Sequence, residues 1–174
     1  MCELCPRRCG VDRSSGAVGF CGAGGSAVRI SRAALHAWEE PCISGTRGSG
    51  TIFFSYCTLR CVYCQNLPVS RGIAGIEVEI SRLAEIMLEL EAQGAHNINL
   101  VTPTHYAVQI LEAIEIARRR GLSLPIVYNT GGYELSSAIE RLRGAVDIFL
   151  TDYKYATNAD ALRYSGAADY IENA

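Results

Sequence analysis

The sequence predicts an α/β fold built on a parallel sheet, and three observations carry that prediction. From residue 51 onward, short apolar runs alternate with helix-length amphipathic stretches, the mark of repeated βα units. Polar clusters stand at the carboxyl end of each predicted strand, where parallel sheets gather their ligands. Three cysteines, Cys57, Cys61 and Cys64, occupy the first of those ends.

The elements follow in order. Thr51-Ile52-Phe53-Phe54-Ser55 is the first strand. A helix is predicted over Ser81 to Gln93, with Leu83, Ile86, Met87 and Leu90 at helical spacing and Gly94 as its stop. Asn97 to Val101 gives the second strand. Tyr106 to Arg120 gives the second helix, with Ala107, Ile110, Leu111 and Ile114 on one face. Its Arg118-Arg119-Arg120 end suits the negative end of the helix dipole and reads as a solvated terminus, not a nucleic-acid patch. Ile126 to Asn129 is the third strand, followed by a helix over Glu134–Leu142. Val146 to Leu150 is the fourth strand, and Asp160–Tyr164 begins another helical stretch. The strand-end clusters are Cys57–Cys64, Thr102–His105, Asn129–Gly132 and Thr151–Lys154.

Two segments precede these units. Residues 1–25 form a cysteine-rich, metal-binding segment, in which Cys2, Cys5 and Cys9 are closed by Cys21 after a glycine-rich stretch. Four thiolates complete a tetrahedral set, suited to structural zinc or to a closed iron–sulfur cluster, and the spacing leaves both open. A flexible cysteine-bearing tail is the alternative. Residues 26–50 read as a connector, with a short strand over Ala27–Ile30 and a short helix from Ala33 to Glu40 stopped by Pro41. Gly45–Gly50 lacks the Gly-Lys-Ser/Thr ending of a phosphate loop and reads as a hinge or turn leading into the first strand. His36 is expected at the surface or in packing, and Cys42 as a buried free thiol.

Composition narrows the function classes. A length of 174 residues suits one domain, residues 51–174 holding the βα units. A net charge of −2 gives no support for a nucleic-acid partner. No apolar run approaches the ~20 residues that span a bilayer, and no secretory signal opens the chain, so no membrane association and a cytoplasmic location are expected. Eight cysteines in such a compartment point to metal binding, not to a disulfide framework. A four-iron cluster normally takes four thiolates, so Cys57, Cys61 and Cys64 would leave one iron open to chemistry.

Cys57-x3-Cys61-x2-Cys64, with Tyr63 before the last cysteine, resembles the signature of the radical S-adenosylmethionine (radical SAM) superfamily. The flanking runs Glu39-Glu40-Pro41, Ile43-Ser44-Gly45, Gly48 to Phe54, Cys64-Gln65-Asn66, Asn99 to Tyr106 and Cys2 to Gly10 are similar to the pyruvate formate-lyase activating enzyme-like proteins. That resemblance implies a partial (βα) barrel and a [4Fe–4S] cluster on Cys57, Cys61 and Cys64. S-adenosyl-L-methionine would chelate the fourth iron and be cleaved reductively to a 5′-deoxyadenosyl radical that abstracts hydrogen. It further implies a reducing donor such as flavodoxin or ferredoxin and an unidentified substrate, a partner protein being one candidate. Tyr63 would lie beside the adenine, a core aromatic being the alternative. Asp152-Tyr153-Lys154 resembles an Asp-x-Lys near the methionine moiety, and Asn129-Thr130-Gly131-Gly132 an Asp-Thr-Asn-Gly stretch, with Asn replacing the acid. Ordinary surface charges and an ordinary turn are the alternatives for these two stretches. Thr102-Pro103-Thr104-His105 stands where the superfamily places Gly-Gly-Glu, so Thr102 is expected to offer uncharged acceptors to the cofactor. His105 is either a contact or a satisfied packing histidine, and no residue is assigned as catalytic. The family core has about six βα units against the four counted, which predicts missing C-terminal units and an uncovered parallel edge. A non-catalytic iron–sulfur or zinc-binding scaffold, or an electron carrier, is the competing reading.

Overall fold

The computed structural model describes all 174 residues. The predicted parallel units are present. Strands β2 (Ser49–Phe54), β4 (Ile98–Val101), β5 (Ile126–Thr130) and β6 (Ile148–Thr151) run parallel, with Gly50 opposite Ile98, Ile98 opposite Ile126, and Val127 opposite Ile148. Helices α3 (Ile80–Ala92) and α4 (Ala107–Arg119) cross between them, and α5 (Ser136–Arg141) follows β5. Gly94, at φ +90°, takes the left-handed turn after α3 that a side-chain-bearing residue resists.

The connector is where the sequence misleads. Val28–His36 is one nine-residue strand, β1, antiparallel to β2 and to a three-residue strand β3 (Ile76–Val78). The helix expected from Ala33 is therefore absent: Ala33, Ala34, Leu35 and His36 pair with Ile52, Thr51, Gly50 and Ser49. Partners across the sheet override the weak helical preference of an alanine pair. Pro41 does not stop a helix. It opens the short helix α1 (Pro41–Ser44), where its missing N–H costs nothing. Cys42, expected to be buried, is exposed on that helix. The six strands take the order β3-β1-β2-β4-β5-β6.

Strand alternation divides the sheet's two faces. Ile52, Phe54, Ile98, Leu100 and Ile126 join Leu83, Met87, Leu90, Ile110 and Ile114 of α3 and α4 in one buried core. The opposite face carries Thr51, Phe53, Asn99, Val101 and Asn129, because side chains two apart share a face. Burying that polar face requires partners or a ligand. At the far edge β6 leaves Ile148 and Phe149 about two-fifths exposed, at 39% and 43%. Beyond it, α6 (Asn158–Ser165) and α7 (Tyr170–Asn173) fold back over the cysteine loop, where Leu59 packs with Tyr133, Tyr155, Ala161, Ala167 and Tyr170. The Thr157 hydroxyl caps α6 by accepting from Asp160 N, and Gly166 ends it in the left-handed region. No helix is long and apolar enough to cross a membrane.

Candidate functional site

The polar face of the sheet opens into a cavity of about 750 Å³. Cys57, Cys61, Cys64, Tyr63, Thr102, Asn129, Thr130, Asp152 and Lys154 all line it. The residues singled out at the four strand ends thus reach one space. The cysteine loop leaves β2 through Tyr56, at φ +74°, and turns again at Arg60, at φ +53°; Thr102 after β4 is at +58°. Non-glycine residues seldom occupy this region, and such strain is tolerated where the surroundings impose it.

Several donors fix the loop. Leu59 N–H lies 3.4 Å from Cys57 Sγ, and Ser165 Oγ donates to Cys61 Sγ at 3.1 Å. The Tyr155 hydroxyl backs Ser165 in turn. Burial raises the Cys57 thiol above its usual range, so its thiolate needs a compensating positive charge. Tyr63 is 55% exposed, which excludes a core role, and its ring meets those of Tyr155 and Tyr164 edge-on at 6.0 and 5.8 Å. Asp152 and Lys154 form an ion pair in the same cavity.

His105 does not face this cavity. It is 2% exposed, its Nε2 donates to Ser55 O at 2.8 Å, and burial pulls its pKa to about 4. A neutral histidine bolting the end of β2 is the packing role, not a cofactor contact.

Cys2, Cys5, Cys9 and Cys21 gather apart from the main site, around a small cavity of about 10 Å³ that also touches Arg7, Arg13 and His105. Burial pushes the Cys5 thiol up to about 12 and raises Cys21. Phe20 N–H donates to Cys9 Sγ at 3.2 Å and Ala23 N–H to Cys21 Sγ at 3.4 Å. As they stand, no three His, Cys, Asp or Glu side chains in either cysteine group are arranged to hold a metal ion. What both groups offer is donor type, backbone N–H support and, at Cys57–Cys64, access.

Three features were given no role by the sequence. Glu134 is 6% exposed, its Oε1 accepts from the Thr104 and Thr130 hydroxyls, and burial lifts its pKa to about 7 against those two bonds. Arg7 reaches out of the N-terminal segment to Thr58 O at 2.9 Å, Ser165 O at 2.6 Å and Gly166 O. Glu39 stands in the cavity with Asn129 Nδ2 at 3.4 Å.

No protein-family model matches the chain. It is 29% identical over 180 residues to a protein of Methanocaldococcus jannaschii described as uncharacterized protein MJ0674, an alignment covering 98% of this chain and 50% of that protein. The chain thus spans about half the length of the curated relative it matches.

Proposed function

We propose that this chain is a radical SAM domain in which Cys57, Cys61 and Cys64 hold a [4Fe–4S] cluster and the adjoining cavity holds S-adenosyl-L-methionine. The observation carrying this reading is the convergence of the three thiols with Tyr63, Thr102, Asn129, Thr130, Asp152 and Lys154 on one cavity. Its volume of about 750 Å³ falls in the range of small-molecule sites and admits a nucleoside-sized cofactor together with part of a substrate. Thiolates are the donors such a cluster takes, and three of them leave one iron for a ligand. When bound, cluster and cofactor supply the radical that abstracts hydrogen.

The protein's own residues do the rest. The N–H of Leu59 and the hydroxyl of Ser165 withdraw charge from the Cys57 and Cys61 sulfurs, a lever on cluster potential. Tyr63 offers an exposed ring face to a base. The Thr104 and Thr130 hydroxyls donate hydrogen bonds to Glu134, and Thr130 Oγ1 also accepts from Gly132 N–H, which leaves oxygen lone pairs as acceptors at the cavity wall. That arrangement supports recognition of a donor group, such as an amino group, where the expected acid is missing. For Cys2, Cys5, Cys9 and Cys21 we propose a separate structural ion, zinc or a closed cluster, because buried thiols ionise only against added positive charge. A cytoplasmic setting and a flavodoxin- or ferredoxin-type donor belong to the same proposal.

Anaerobic reconstitution with iron and sulfide tests it. The wild-type chain should take up iron, absorb broadly in the visible and, with reductant, form 5′-deoxyadenosine from the cofactor. Cys61→Ala should abolish that product. A chain that binds no iron overturns the reading, and bound iron without cofactor cleavage favours the scaffold or carrier.

A further inference from the structure

His105 is satisfied through one ring nitrogen only. Its Nε2 meets Ser55 O at 2.8 Å, and a carbonyl can only accept, so Nε2 carries the proton and Nδ1 keeps a bare lone pair. That Nδ1 is buried, in a residue 2% exposed, and has no hydrogen-bond partner. A buried acceptor left alone is costly, and such atoms mark an unseen ligand or water. His105 also lines the small N-terminal cavity together with Cys2, Cys5, Cys9 and Cys21. Arg13, a further lining residue, donates to the His105 carbonyl at 2.6 Å, so the N-terminal segment is seated directly on this histidine.

This arrangement matches metal chemistry. A histidine that ligates a metal through one nitrogen almost always donates its other N–H to a carbonyl or carboxylate, which fixes the tautomer and the ring orientation. Ser55 O accepts that bond here. The free space of about 10 Å³ is on the scale of one ion or one water. Three thiolates and one imidazole are a standard tetrahedral zinc set, whereas a four-iron cluster normally takes four thiolates. Arg7 and Arg13 line the same cavity and offset the negative charge of such a set. The donors do not yet converge on one point, so binding would draw the thiols in around the ring.

We infer that the N-terminal centre is a zinc site in which His105 Nδ1 is one ligand and three of the four cysteines are the others, the fourth staying a free thiol. The zinc assignment rests on the structural ion proposed above for this segment and chooses between its two candidates. It also joins that ion to the main cavity, because His105 holds Ser55, two residues before Cys57.

Cadmium-113, a visible stand-in for zinc, tests it. The full chain, kept reduced, is loaded with cadmium-113 or with zinc and followed by proton–cadmium and proton–nitrogen correlation spectra. One cadmium should couple both to the ring protons of His105 and to the β-protons of three among Cys2, Cys5, Cys9 and Cys21. Zinc should shift Nδ1 of His105 and leave Nε2 protonated. His105→Gln, whose amide can still donate to Ser55 O, should weaken zinc binding about a hundredfold, the upper range for even an outer-shell partner. Chelator competition read at the Cys21 signals separates this loss from any metal on Cys57–Cys64. Cadmium coupled to all four cysteines with His105 unmoved overturns the inference and leaves the structural ion standing. No cadmium on these cysteines overturns both. A His105 nitrogen that zinc does not shift, as a trapped water would leave it, or wild-type zinc affinity in the variant, overturns the ligand role. The wild-type couplings decide the matter if the variant does not fold.

Discussion

The two cysteine groups use the same side chain in opposite settings. Around Cys2, Cys5, Cys9 and Cys21 the free space is about 10 Å³; beside Cys57, Cys61 and Cys64 it is about 750 Å³. Four donors enclosing no further room suit an ion that is only held. Three donors at the mouth of a large cavity suit one that is also approached. Thiolate count alone would not separate these roles, since either set can bind zinc or iron. The room beyond the sulfurs does.

That contrast can be broken by exchanging the lesions. Cys61→Ala should remove 5′-deoxyadenosine formation entirely while sparing the melting temperature of the N-terminal segment. Cys21→Ala should do the reverse, losing one metal equivalent and thermal stability but retaining product formation; equal loss of product in both would erase the distinction. A smaller effect is expected from Arg7→Ala, which tests whether the two regions are independent. The Arg7 guanidinium bonds the carbonyls of Thr58, Ser165 and Gly166 and lies 3.8 Å from the Phe20 ring centroid. Its removal should cost about 2–4 kcal/mol in urea denaturation, and faster amide exchange should be confined to the cysteine loop and the end of α6. Unchanged exchange there would show that the regions stand separately.

The smallest effect is read as a slope. Glu134 rises from 4.5 to about 7 on folding, so its contribution is greatest below pH 4.5 and is lost as pH climbs toward 7. His105 falls from 6.5 to about 4, so its contribution is full above pH 6.5 and is lost as pH drops toward 4. Each is worth about 3 kcal/mol in order of magnitude, and they oppose one another between pH 4.5 and 6.5. Wild-type stability should be nearly flat over that window. Glu134→Gln keeps an acceptor for both threonines, removes the charge, and should make stability climb with pH there. Superimposable curves from urea titrations would sink the assignment.

Much of this was legible beforehand, for a physical reason. The runs at Thr51–Ser55 and Asn97–Val101 are β-rich and flanked by helix-period segments, so local pattern sufficed. Cys57–Cys64 announces itself by spacing. Ala33–His36 does not, because what makes it a strand is a set of partners thirteen to nineteen residues away at Ile52, Thr51, Gly50 and Ser49. Ile76–Val78 is three residues long and too short for any period to show. Glu134, Arg7 and Ser165 were invisible for a related reason. Their roles arise only when segments 30, 51 and 104 residues away arrive beside them. Spacing can single out cysteines that share a loop, but not a support assembled from across the chain.

The Arg7 clamp has a consequence for assembly. Its acceptors lie 51 and 158 residues along the chain, so the N-terminal cysteine segment is synthesised long before the surface that receives it. Contacts of that separation close late, after α6 has formed against the cysteine loop. The N-terminal segment also bonds residues 105–109 through Arg13 and Gln109, so it is tied first to the middle of the chain and only through Arg7 to the distant C-terminal helix.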